Sequence, residues 1–158
     1  MAQEKQNSQI EKEARSLATE LLEIIGVKAD VETEASEELI KIDIQGDDLG
    51  LLIGYRGENI ESLQLLLGLI LNKRLGLTQW RPVLVDVGGW RKQKEESLKE
   101  LVETELEKMN TGLPSVDLPP MPPAQRRVVH VAVSEKEGYT SESVGEGSER
   151  HIVIKRVS

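Results

Sequence analysis

The 158 residues are 38% hydrophobic and 30% charged, a balance ordinary for a folded domain and too apolar for a disordered chain. With no cysteine and two histidines, disulfides and thiolate metal sites are excluded, and a histidine-based metal centre lacks ligands. The formal net charge of −8 argues against an extended polyanion-binding surface, but residues 1–53 hold 5 Lys/Arg against 13 Asp/Glu and the remainder is close to neutral.

Met1 to Arg15 is polar, without the apolar core of a signal peptide, and no apolar run reaches the roughly 18–20 residues of a membrane span. A cytoplasmic protein with no membrane insertion is expected. Ile10, Ala14, Leu17, Leu21 and Ile24 recur at helical spacing, and Gly26 stops the helix. Ala29, Val31 and Thr33 alternate with acids, and Ile40, Ile42 and Ile44 alternate with polar residues, which predicts a hairpin with one buried face. A short helix over Leu49–Ile53, capped by Asp47 or Asp48, leads into Gly54-Tyr55-Arg56-Gly57. The helix from Glu58 to about Arg74 is apolar on nearly every side and should be largely buried. Val83, Val85 and Val87 form a third strand.

Trp90 to Asn110 reads as a helix with Leu98, Val102, Leu106 and Met109 inward. Trp80 and Trp90, flanking the third strand, are expected to pack in the core or at a hinge. Four of the six prolines then fall in Leu118–Pro123, through which no helix or central strand can run. A module boundary belongs near residues 90–111. Val128–Val133 is ambiguous: β-branched residues favour a strand, whereas Pro122 and Pro123 suit the first turn of a helix. Tyr139–Val144 and His151–Ile154 predict a hairpin around Gly145-Glu146-Gly147.

The G-x-x-G loop is the first candidate site. Two glycines leave no Cβ to block a phosphodiester chain, the following helix N-terminus favours phosphate, and Arg56 adds a charge-assisted contact. The order helix, strand, strand, helix, G-x-x-G, helix, strand is that of a type II KH domain, whose loop clamps about four nucleotides. Replacing Gly54 and Gly57 together by aspartate should abolish binding and leave circular dichroism native. The second candidate is Arg126-Arg127-Val128-Val129-His130. On a helix Arg126 and His130 share a face about 6 Å apart; on a strand they lie roughly 13 Å apart. Arg150-His151 could join that surface or form an exposed edge. The absence of Phe, with two Trp and two Tyr, argues against the aromatic platforms of RRM and OB folds.

Taken together, Gly46–Glu58, Val85–Arg91, Met121-Pro122-Pro123 with Arg126–His130, and Gly145–Gly147 followed by Arg150-His151 resemble the bacterial Jag family, the SpoIIIJ-associated KH/R-3-H proteins. The resemblance runs from about residue 10 to 156, with four motifs in order. It is to the part that follows the N-terminal Jag domain of many relatives, a domain this chain is expected to lack. Tyr55 stands where a second basic residue is common.

The resemblance implies an α+β protein: a type II KH domain over residues 8–90, then a small α/β R-3-H domain over 91–158, with 91–110 as bridging helix. It implies that Arg126 and His130 lie on a helix. It also implies binding of single-stranded RNA, or single-stranded DNA, usually with a second small KH protein or by self-association, and a regulatory role in cell elongation and division. The expected RNA-binding residues are Gly54, Tyr55, Arg56, Gly57, Asn59, Arg126, Arg127, His130 and Arg150. No metal site, cofactor or catalytic residue is expected, since no Walker-type, G-x-S-x-G or H-E-x-x-H motif occurs. The alternative is a protein-interaction scaffold that kept both folds and lost RNA.

Overall fold

The computed structural model describes residues 1–157, which divide into two compact units, Met1–Arg91 and residues 92 onward. The first unit opens with α1 (Ala2–Ile25), followed by β1 (Asp30–Ala35), β2 (Ile40–Gln45), the single turn α2 (Gly50–Ile53), α3 (Glu58–Leu75) and β3 (Val83–Val87). This is the element order expected from the sequence. The sheet runs β1-β2-β3, with β1 antiparallel and β3 parallel to β2. Period-two burial explains the register, because Ile40, Ile42 and Ile44 of β2 and Val83, Val85 and Val87 of β3 turn one face inward. That face packs on Ile10, Ala14, Leu17 and Leu22 of α1 and Ile60, Leu63, Leu67 and Leu71 of α3.

Four expectations need correction here. Helix α1 starts at Ala2, because its polar opening is rich in the good helix formers Glu, Lys and Gln, and Ile24 is exposed while Leu22 takes the inward place. Neither Asp47 nor Asp48 caps α2; Leu49 is the N-cap and no side chain bonds there. Helix α3 is not buried all round, since Leu65, Leu66 and Leu69 are at least half exposed. The helix packs on the sheet with one face, and the described residues of its unit leave the opposite face uncovered. Trp80 is 59% exposed rather than in the core, whereas Trp90 packs on the first core.

The chain continues through α4 (Trp90–Met109), β4 (Ser115–Asp117), α5 (Pro123–Ser134), β5 (Tyr139–Val144) and β6 (His151–Arg156). In the second unit the antiparallel order is β4-β6-β5. Its core gathers Leu98, Val102, Leu106 and Met109 of α4, Val129, Ala132 and Val133 of α5, and Ile152 and Ile154 of β6. Strand β4 has no counterpart among the elements expected from the sequence. Residues 128–133 are helical despite their β-branched side chains: Pro122 is the N-cap, Pro123 sits at N1, and one helical face reaches the core.

Candidate nucleic-acid interface

Helix α2 ends at Gly54, and a 3-10 turn over Tyr55–Gly57 feeds α3. Gly54 has φ 69° and ψ −176°, a conformation essentially confined to glycine. Gly57 is left-handed at φ 79°, and between them Arg56, at φ 54°, is the one non-glycine residue with positive φ among the described residues. Strain of this kind collects at functional sites.

The glycines, however, do not open the main chain to a ligand on the side where a Cβ would stand. A Cβ at Gly54 would lie 2.6 Å from Nδ2 of Asn59, and one at Gly57 would lie 2.8 Å from Cζ3 of Trp90. The turn is so tight that the start of α3 and an indole ring fill its inner side, and Gly57 is buried. The paired aspartate substitution is therefore expected to disturb the fold as well as binding. Asn59 donates its side-chain amide to the Leu51 carbonyl at 2.7 Å, tying α3 to α2.

Outward, Tyr55 is 69% exposed and the Arg56 guanidinium stands 4.8 Å from the centre of its ring. Helix α3 has Gly57 as N-cap and no capping side chain; the Glu58 N–H is given to the Tyr55 carbonyl, and the amides of the first turn beyond it are suited to an anion. Glu58 and Glu61 occupy that turn and oppose this, although Glu61 faces Arg91 at 3.5 Å. Beside the loop, Ile25, Leu51, Leu52, Asn59, Ser62, Leu63 and Leu66 line a mostly apolar groove of about 270 Å³. A larger hollow of about 770 Å³ at the C-terminal end of α1 is lined by Glu23, Asp30, Asp47 and Asp48 with Lys28, which makes it unfit for a polyanion.

The outer sheet face is also acidic. Asp30, Glu32, Glu34, Asp43 and Asp86 stand there with Lys41. Burial lifts the Asp43 carboxyl above its ordinary range, and the charges of Asp86 and Glu32 add to the effect. In this unit a nucleic-acid backbone is favoured on the helical side alone.

In the second unit, α5 places Arg126 and His130 on one face. Arg126 donates from Nη1 to Ser143 Oγ at 2.7 Å and from Nε to the Met121 carbonyl at 3.2 Å. His130 Nδ1 lies 2.7 Å from Ser141 Oγ. Both motif side chains thus lean on β5 and remain half-buried, while Arg127 is exposed. Arg150 donates to the Gly145 carbonyl at 2.9 Å, closing its own hairpin turn. The structure joins Arg126 to His130 through alternate serines of one strand; spacing points to the pair but not to the serines.

Sequence reading also gives His151 no partner. Its Nδ1 donates to the Glu149 carbonyl at 2.9 Å, and Nε2 lies 3.0 Å from Asp117. Two acceptors favour the imidazolium, and the pKa is raised from 6.5, first by the Glu149 carbonyl and then by Asp117. A raised folded pKa means stabilisation fully present below the unfolded value and lost as pH rises through the folded one. In an NMR titration the His151 midpoint should lie above 6.5 and move down in Asp117→Asn; a midpoint at or below that value in the parent would refute the arrangement.

Two family models match the chain: the "KhpA/KhpB, KH domain" model over residues 11–79 and the R-3-H domain model over 96–156. The chain belongs to the Jag/KhpB family. It is 33% identical over 130 residues to the RNA-binding protein KhpB of Clostridium symbiosum, covering 82% of this chain and 58% of that protein. It is also 33% identical over 139 residues to the RNA-binding protein KhpB of Bacillus subtilis strain 168, covering 85% and 64%. The match to the KhpB of Lactiplantibacillus plantarum is 29% over 143 residues, covering 89% and 44%. The chain thus spans less than two thirds of the length of these relatives. An α+β KH domain followed by an R-3-H domain is what the fold and the models agree on.

Proposed function

We propose that this protein binds single-stranded RNA, without catalysis, by seating the phosphate backbone on the Gly54–Gly57 turn. The carrying observation is that this turn presents Arg56, in a strained left-handed conformation, beside the uncapped start of α3 and an apolar groove. Phosphate meets Arg56 and the α3 amides, and unstacked bases enter the groove along Ile25 and Leu51 or stack on Tyr55. Arg126, Arg127, His130 and Arg150 form a second contact surface on the other unit. The names of the relatives support RNA as the ligand, and single-stranded DNA shares the required chemistry. Asn59 serves by holding the loop, since its amide is given to Leu51. A cytoplasmic post-transcriptional regulator connected to cell elongation and division is the cellular role this reading carries.

A specific observation favours a protein partner in addition. Leu65, Leu66 and Leu69 form an exposed apolar stripe on α3, and such patches mark association surfaces. Self-association through α3 is the form we propose, with a second small KH protein as the alternative occupant of the same stripe.

Salt-titrated binding to a short single-stranded RNA tests the clamp. Affinity should fall linearly on a log–log plot with salt, and Arg56→Gln should weaken it by about ten- to a hundredfold, as expected for losing one charge-assisted contact of about 1.5–3 kcal/mol. An affinity indifferent to both salt and Arg56 would leave the scaffold reading in its place.

A further inference from the structure

The stretch Val85-Asp86-Val87-Gly88-Gly89-Trp90-Arg91 leads from β3 into α4, and its last two residues are anchored in an unusual way. Arg91 is tied to β3 and α3 at once. Its main-chain N–H donates to Asp86 Oδ1 at 3.2 Å, and Nε donates to the Val85 carbonyl at 2.9 Å. From the same side chain, Nη2 donates to Gln64 Oε1 at 2.9 Å. That Gln64 oxygen also accepts the Val85 N–H at 3.0 Å, so two side chains satisfy the outer edge of β3 at one residue. This clamp fixes where α4 begins and, with it, where the preceding indole lies. The ring rests on Gly57 so closely that Cζ3 and Cζ2 would stand 2.8 and 2.9 Å from an added Cβ.

We propose that Trp90 is a positioning residue for RNA binding: anchored through Arg91, its ring seats Gly57 and so holds the turn in the form that presents Arg56 and the α3 amides. The inference rests on the clamp reading above and adds to it a residue that acts through Gly57. Gly57 is glycine because an indole occupies its side-chain space, and the indole is there because a turn with left-handed residues at 56 and 57 does not hold itself. A preorganised loop binds without first being ordered. Apparent affinity scales with the fraction of molecules in the competent form, so loosening the turn to about one-tenth occupancy weakens binding about tenfold.

The test compares Trp90→Leu, which stays apolar but removes the flat ring, with the conservative Trp90→Phe. Two measurements are made on the whole chain: amide hydrogen exchange, and affinity for a short mixed-sequence single-stranded RNA. In Trp90→Leu the hydrogen-bonded amides of Gly54, Gly57 and Glu58 should exchange about tenfold faster while those of β2 and β3 stay protected, and affinity should fall about tenfold. Trp90→Phe should restore both to within about twofold of the parent. Unchanged loop exchange in Trp90→Leu overturns the proposal. So does equal loss of strand protection in both variants, which would make Trp90 an ordinary core residue. If the parent does not bind RNA, the clamp reading fails, and the exchange measurement still decides whether Trp90 holds the turn.

Discussion

Gly57→Ala is expected to lower the melting temperature of the first unit by on the order of 15 °C, the largest effect of any single methyl addition in the loop. The backbone at 57 is left-handed with φ 79°, which costs an alanine about 1–2 kcal/mol. The new methyl also enters the Trp90 ring, and overpacking of that kind costs about 1–3 kcal/mol. The sum of about 3 kcal/mol converts at roughly 4–8 °C per kcal/mol for a unit of this size. Gly54→Ala fails for a different reason. Its φ and ψ are nearly closed to other residues; the exposed Asn59 amide can swing aside by giving up its bond to Leu51, whereas Asn59 Cβ, 2.9 Å from the added methyl, is fixed by the backbone of α3. A double-mutant cycle by thermal unfolding separates the two. In a Trp90→Ala background the Gly57→Ala penalty should shrink to its backbone part or below it, while the Gly54→Ala penalty should change less. A Gly57→Ala penalty no larger than its backbone part would mean that the ring yields at no cost, and equal melting temperatures for Gly57→Ala and the parent would overturn both parts. Aspartate at either glycine meets the same neighbours, so it lowers RNA binding through the shape of the turn as well as through charge.

The elements with strict periodicity can be read directly. Ile40, Ile42 and Ile44 define β2 because a strand with one buried face admits only one phase, and Leu98, Val102, Leu106 and Met109 define the inner face of α4 by helical spacing. Helix α5 is not settled by local preference. Val128, Val129, Val131 and Val133 favour a strand in isolation, and the helix is chosen by two prolines at its start and by burial of Val129, Ala132 and Val133. Strand β4 has three residues and one inward side chain, Val116, too little pattern to detect.

At the site, the G-x-x-G string is visible in the sequence but the purpose of its glycines is not. The residues that fill their side-chain space are Asn59, five positions after Gly54, and Trp90, thirty-three after Gly57. Only the close return of the chain at the start of α4 beside the loop brings the second pair together. His151 and Asp117, and Arg126 and Ser143, are likewise partners across elements that no spacing rule connects. The leucines of α3 show the opposite difficulty. Their apolar character is plain, but a sequence does not distinguish a residue buried in its own domain from one that faces outward.

That outward face gives the other large effect expected. Helical geometry at about 100° per residue places Leu65, Leu69 and Leu66 within an arc of about 100°, with Lys73 in the same arc one turn further on. A two-fold contact along this arc brings leucine against leucine, whereas the acidic outer sheet face would oppose its own copy. The chain should therefore associate in sedimentation equilibrium, and Leu65→Glu with Leu69→Glu should weaken that association at least about a hundredfold, or about 2.7 kcal/mol. Removing the burial of two leucines, each of about 1.5–3 kcal/mol, is sufficient for this. Because both side chains are at least half exposed in the isolated unit, the double variant should melt no lower than the parent, which separates loss of contact from loss of fold. A parent that remains monomeric at high concentration would eliminate self-association, and a destabilised variant would show that these leucines support their own helix instead.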